Sequence, residues 1–257
     1  MSFSKKTETP RGLIFYSRLS KYSEVLHFTT TKDNTSDNTA LFTGSSPGIY
    51  ERDRQLLAEK LGLEEGQLVF PRQTHSNRVA VISKVPEKEL TGIDALVTNR
   101  TGICLCVQTA DCVPVLLYDP VEKVVAAVHA GWRGTVGKIV SEAVKIMVNQ
   151  FNSSPGKLIA CIGPSIGPEV YEVGPEVVQQ VEANIPNPES VFKKTGDGKA
   201  LLNLWEANKI LLLNESIPEQ NITISGLCTY TGDRLFYSAR RDGLHTGRMV
   251  SGIMLKE

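Results

Sequence analysis

Between Leu68 and Ala130 the chain breaks into six short β-rich runs, LVF, VAVIS, DALVT, ICLCVQT, VPVLLYD and KVVAAVHA, separated by Pro, Gly, Asn and Asp. β-Branched residues at this density between turn formers predict a sheet. A sheet buries its faces only if other layers cover them. Directly after it, Val136, Ile139, Val140, Ala143, Ile146, Met147 and Phe151 recur at helical spacing, with Lys138, Glu142 and Lys145 on the opposite side, which predicts an amphipathic helix. A first strand, VLHFT, precedes residues 29–39, whose polar TTTKDNTSDNT reads as an exposed, mobile loop. Further helices are expected from Ile49 to Leu61, stopped by Gly62; after Gly174 and Pro175; and from Asn203, three residues before Glu206, to Leu213. LIACIG, ITISGLCTY, LFYSARR and MVSGIML read as further strands. Strands and helices come in blocks, so the predicted fold is α+β: a three-layer α-β-α arrangement with a mixed β-sheet. No repeat or linker divides residues 1–257, and a single domain is expected.

The 28 basic and 28 acidic residues leave no net charge, which argues against nucleic acid or an anionic membrane as partner. The N-terminal MSFSKKTETP lacks the apolar stretch of a signal peptide, and no window reaches the ~18 apolar residues of a membrane span. A cytoplasmic protein is expected. Five cysteines, an odd number, fit reduced thiols better than a disulfide framework.

VPVLLYD and KVVAAVHA read as a hairpin. With Pro120 and Val121 as a two-residue turn, Asp119 faces Glu122 and Cys112 faces His129, placing their Cβ atoms ~4.5–5.5 Å apart. A longer turn shifts the register by two and leaves a diagonal contact. A thiolate and an imidazole at that range can share a metal, and His75, at the junction of LVF and VAVIS, is the natural third ligand. Three ligands leave a zinc position open for water or substrate, the pattern of a catalytic site; copper would bind such a set too. From the residues alone the alternative is an inert core cysteine and hydrogen-bonded histidines. Cys104, Cys106, Cys161 and Cys228 read as structural, and His27 and His245 as structural or surface residues.

RQTHSNRV, QTADCVPVLLYDP and VAAVHAGWRG, followed by CIGPSIGPEVYEVG, NLWEANK and FYSARRDGLHTGRM, resemble the YfiH family, also called the polyphenol-oxidase or laccase-domain family and linked to peptidoglycan editing. The resemblance is strongest over residues 65–255. It implies that His75, Cys112 and His129 are zinc ligands. It also implies a purine nucleoside phosphorylase, in which phosphate cleaves adenosine, inosine, guanosine or methylthioadenosine to base and ribose 1-phosphate, with adenosine deamination as a further activity. The sequence departs from the family at Phe28–Lys32, which has no Gly-Gly turn, and at Ala239, where an aromatic residue or histidine is common.

Phosphorolysis needs cations and free N–H groups for phosphate. Arg133, near a helix start with Gly134 or Thr135 at its cap, is one candidate; Arg54 and Arg241 are others, and Gln73 is placed to read the purine or ribose. Deamination needs a metal-activated water and a carboxylate shuttle, for which Asp111 is the candidate if the strand ends or bulges there. A metal-free alternative makes Cys112 a nucleophile with His129 as its base, an amidase or dipeptidase suited to cell-wall precursor editing. A copper-dependent phenol oxidase is weaker, because four histidines are too few for several copper centres. A non-enzymatic module stapled by zinc is weaker again, since a chain of this size does not require a staple.

Overall fold

The central strands of this chain show no exposed-buried alternation, because both of their faces are covered. Cys104–Thr109, Val113–Asp119, Val124–Ala130 and Met249–Leu255 are buried at every position. The computed structural model that shows this describes residues 12–32, 42 and 47–257, with the side chains of 47–49 left out. A six-stranded sheet runs in the order Ile222–Ile224, Ile159–Ile162, Val113–Asp119, Val124–Ala130, Ala95–Thr98, Val79–Val81. A five-stranded sheet runs Leu13–Ile14, Val25–Thr30, Met249–Leu255, Cys104–Thr109, Leu68–Val69. Both are mixed: parallel pairs at their edges flank antiparallel ladders.

The two sheets pack face to face. Leu105, Val107, Ile253 and Leu255 of one meet Leu96, Leu116, Tyr118, Val125 and Ala127 of the other. On the outer face of the six-stranded sheet, Val115, Leu117, Val124, Ala126 and Val128 join one core with Ile139, Val140, Ala143 and Met147 of the helix Ile139–Phe151 and with Leu211 of the helix Leu204–Asn214. On the outer face of the five-stranded sheet, Phe28, Cys104, Cys106 and Met254 pack with Leu57 and Ala58 of the helix Pro47–Leu61. Each large aliphatic side chain enclosed this way contributes about 1.5–3 kcal/mol. The α-β-α order is therefore as expected, with the β layer doubled into two sheets.

Three local expectations are corrected. Thr29, Thr30 and Thr31 are buried, and the first two close the strand Val25–Thr30, so the exposed loop does not begin at residue 29. Its remaining residues from 33 to 39 lie outside those described. The amphipathic helix is split: Trp132–Val136 is a separate turn capped by Gly131, and the long helix starts at Ile139 after Lys138 adopts a left-handed φ of 59°. Gly134 and Thr135 are thus inside the short helix and cap neither element. LFYSARR is not a strand, because Ser238 caps the short helix Ala239–Asp242 by accepting the Arg241 N–H.

One histidine sits in the five-stranded sheet far from the others in sequence. His27 is 3 % exposed; its Nδ1 accepts the Tyr16 N–H at 3.3 Å, so Nε2 carries the proton toward Ser20 Oγ, also at 3.3 Å. Burial, and then the Lys256 charge, lower its pKa from 6.5 to about 4. The unfolded chain therefore binds more protons than the fold between those values, and stability present above pH 6.5 is lost as pH falls toward 4, by as much as about 3 kcal/mol. In His27→Gln this part of the loss is expected to vanish, read as the difference in urea midpoint between pH 7 and pH 4.5. An unchanged difference would place the loss elsewhere.

Candidate metal centre

Asp94, fully buried at the head of the strand Ala95–Thr98, organises this region. Its carboxylate accepts hydrogen bonds from the backbone N–H groups of Thr74 (3.1 Å), His75 (3.0 Å) and Ser76 (2.8 Å), from the Ser76 hydroxyl (2.7 Å) and from His129 Nδ1 (2.8 Å). Those bonds hold His75 at a positive φ of 60°, a conformation that costs a non-glycine residue about 1 kcal/mol or more. They also orient His129: its Nδ1 proton points at Asp94, so Nε2 is the ring nitrogen left to face a metal.

Cys112 completes the cluster. The ladder pairs Asp119 with Val124 and His129 with Pro114, so the connection runs from Pro120 to Lys123 and the expected two-residue turn is corrected to four. The Asp119 carboxylate, which accepts from the Val121 and Glu122 N–H groups, shapes that longer turn. Cys112 therefore stands diagonal to His129. A side chain at Gly131 would meet Cys112 Sγ at 2.8 Å and His75 Cδ2 at 3.1 Å, so glycine there is what allows the strands to close over the cluster. Sγ of Cys112 lies 3.7 Å from Nε2 of His75, the imidazoles of His75 and His129 are 5.0 Å apart between centroids, and one ligand atom from each residue falls within 4.8 Å of the others.

The electrostatics favour a thiolate. Burial pushes the Cys112 thiol up, but His129 and then His75 outweigh it and bring its pKa well below the ordinary thiol value. Burial disfavours a charge on His129, yet the Cys112 sulfur and the Asp94 carboxylate raise its pKa above the usual histidine value. For Asp94, burial acts upward and the bonds from His129 and Ser76 hold it far below the carboxylate range. Two imidazoles and a thiolate, with one imidazole braced by a carboxylate, match the donor chemistry of a metal site.

The cluster opens into a cavity of about 470 Å³ lined by Gln73, His75, Gln108, Asp111, Cys112, His129, Arg240, Leu244 and Arg248 among others. Of the residues singled out in the sequence, Gln73 and Asp111 join the three ligands there. The Gln73 amide donates to the Gln108 carbonyl and accepts the Gln108 N–H, clamping the end of the strand Cys104–Thr109. Asp111, at a φ of 90°, has left the strand; its carboxylate accepts from Thr229 (2.6 Å), Ser238 (3.0 Å) and the Arg240 N–H (2.7 Å).

The three arginines are placed differently. Arg54 lies over the rings of Tyr50 and Phe70 and donates to the Phe42 carbonyl. Arg133 is exposed above Trp132. Arg241 donates to the carbonyls of Thr229, Tyr230 and Phe236 and pairs with Asp242. None of them lines the cavity. Sequence reading passed over Asp94, Gln108 and Arg248. An acid opening the apolar run DALVT signals Asp94, because burying it requires partners; Arg248 stood inside the string FYSARRDGLHTGRM without being singled out.

Fold and cluster together define an α/β protein with a histidine-cysteine-histidine group at the base of a substrate-sized cavity. The chain belongs to the family described as multi-copper polyphenol oxidoreductase laccase, whose model matches residues 26–256. It is 38 % identical to a purine nucleoside phosphorylase from Bacteroides thetaiotaomicron, over 95 % of this chain and 97 % of that one. It is 42 % identical to adenosine deaminase RL5 from an unknown prokaryotic organism, over 79 % of this chain and 80 % of that one. The crystal structure of the hypothetical protein YfiH from Bacillus licheniformis superposes with a TM-score of 0.89 at 31 % identity, covering 97 % and 98 % of the two chains. Among the described residues one cluster of three or more His, Cys, Asp or Glu side chains has metal-ligand spacing, and it lacks the several histidine-rich centres that multi-copper electron transfer requires. His27 is committed to Tyr16 and Ser20, and His245 is exposed in a loop. No helix among the described residues is long and apolar enough to cross a membrane.

Proposed function

We propose that the chain, acting as one unit over residues 1–257 in the cytoplasm, is a zinc-dependent purine nucleoside phosphorylase with a secondary adenosine deaminase activity. The carrying observation is the His75–Cys112–His129 cluster at the base of the cavity in a chain that matches a phosphorylase over nearly its whole length. His75, Cys112 and His129 would hold the zinc, the ion that this mixture of one thiolate and two imidazoles favours. When bound, zinc supplies Lewis acidity and lowers the pKa of what it coordinates.

The reaction forms a bond between a phosphate oxygen and C1′ of the ribose and breaks the bond between C1′ and the purine. The bonding pair leaves with the base, which gains the proton that monohydrogen phosphate gives up. A cavity of about 470 Å³ has the size of small-molecule sites and would seat nucleoside and phosphate side by side. Gln73 orders the strand end that carries Gln108, whose side-chain oxygen accepts the Phe42 N–H in the cavity wall. Leu244, 79 % exposed at the rim, offers apolar surface to the face of a base. Asp111, engaged by three donors, positions the Cys112 segment against residues 229–240 and is less suited to shuttling protons.

A second reading is favoured by the thiolate-imidazole pair itself: with Asp94 behind His129, the three residues form a nucleophile, base and orienting acid. His75 beside the sulfur favours the metal. Incubating zinc-loaded protein with adenosine, with and without phosphate, separates the readings by chromatography. Adenine and ribose 1-phosphate that require phosphate are expected, with inosine as a minor product. No product from adenosine, inosine or guanosine, together with rapid alkylation of Cys112 in protein as isolated, would favour the hydrolase.

A further inference from the structure

We infer that Arg248 is the phosphate anchor of this cavity, holding two phosphate oxygens through its Nε–H and one Nη2–H. The inference rests on the phosphorylase reading for the identity of the anion and on the structure for the residue. Arg248 is half-buried in the cavity wall. Its Nη1 donates to the carbonyls of Thr246 and Gly247 and its Nη2 to the carbonyl of Leu244, so three backbone acceptors fix the plane of the guanidinium. A guanidinium has five N–H donors, and this arrangement leaves the Nε–H and the second Nη2–H without an acceptor among the described residues. Two such parallel donors match two oxygens of a phosphate.

The charge of Arg248 has no direct counter-ion among the described residues. The Cys112 sulfur and then the Asp111 carboxylate are the negative groups whose charge reaches it, and the oxygens of Asp111 are held by Thr229, Ser238 and the Arg240 N–H. Burial bears on the Arg248 cation more than these two attractions relieve it. A half-buried cation with a fixed plane and two unused donors, in the wall of a cavity that also holds the cluster, is built for an anion. Arg240, the other arginine of the wall, is exposed, stacks over Tyr171 and donates to the Glu172 carbonyl.

The test compares wild type, Arg248→Met and Arg248→Lys in zinc-loaded protein. Inorganic phosphate binding is followed by calorimetry, and phosphorolysis at varied phosphate is followed by base release. In Arg248→Met the phosphate KM is expected to rise on the order of 30- to 100-fold. The nucleoside KM should stay within about threefold with zinc content unchanged, and a lower melting temperature is expected from the lost bonds to the carbonyls of Leu244, Thr246 and Gly247. Arg248→Lys, which keeps the charge but loses the fork, should fall between. Phosphate affinity and phosphate KM within threefold of wild type in Arg248→Met would overturn the inference. If the wild type binds phosphate through Arg248 but cleaves no nucleoside, the anchor stands and the phosphorylase reading falls.

Discussion

Cys112→Ala protein is expected to fold as the wild type does, carry less than about a tenth of the wild-type zinc, and lose on the order of a thousandfold in nucleoside turnover. Folding is spared because Cys112 is half-buried at a cavity wall, outside both sheets, and its removal leaves no sealed void. Zinc is lost because the two remaining imidazoles do not supply the charge of a thiolate. The measurements are metal analysis after dialysis, a melting curve in the presence of chelator, and initial rates with adenosine and phosphate. Full zinc occupancy in the variant would remove Cys112 from the ligand set. Full loss of nucleoside turnover with full occupancy would instead give Cys112 a part in the reaction apart from holding the metal.

Asp94→Asn changes a single atom type and should disturb the protein more broadly. Five donors converge on two oxygens, and an amide replaces one oxygen with an NH2 group facing N–H donors. If the amide nitrogen takes the place of Oδ2, the loop of Thr74 and Ser76 loses its acceptor. If it takes the place of Oδ1, His129 is driven to the tautomer that protonates Nε2, which then cannot bind metal. Stability is expected to fall by about 2–4 kcal/mol and zinc affinity by about 10- to 100-fold. The loss of stability is read from denaturant unfolding of metal-free protein, and the loss of affinity from competition with a chromogenic chelator. An unchanged affinity with reduced stability would limit Asp94 to holding the loop.

How far the sequence revealed this molecule depends on what each signal encodes. Cys112 and His129 could be related because they flank one hairpin, and a hairpin has few registers. Which register applies depends on the turn, and the role of the Asp119 carboxylate in closing four residues is not visible in composition. The doubled β layer was hidden for a related reason. A strand between a sheet and helices is buried on both faces, as is a strand between two helical layers, so Val113–Asp119 reads alike in both. The split at Lys138 and the failure of LFYSARR to form a strand are tertiary effects: the Asn77 amide draws the Gly137 carbonyl, and Arg241 gathers three carbonyls from residues 229–236. Asp94 escaped because its role lies in long-range bonds that no periodicity records.

The hairpin that carries two of the three ligands also keeps its tip away from them. Seven ladder pairs, from Asp119–Val124 to Val113–Ala130, place about 20 Å between the turn and the cluster. The pairing is fixed along its whole length by the packing on both faces, and Val121 at the tip is 61 % exposed. The turn is therefore a place where this chain can gain or lose residues without retuning its chemistry, and where a reporter peptide grafted between Val121 and Glu122 would hang clear of anything that enters the cavity.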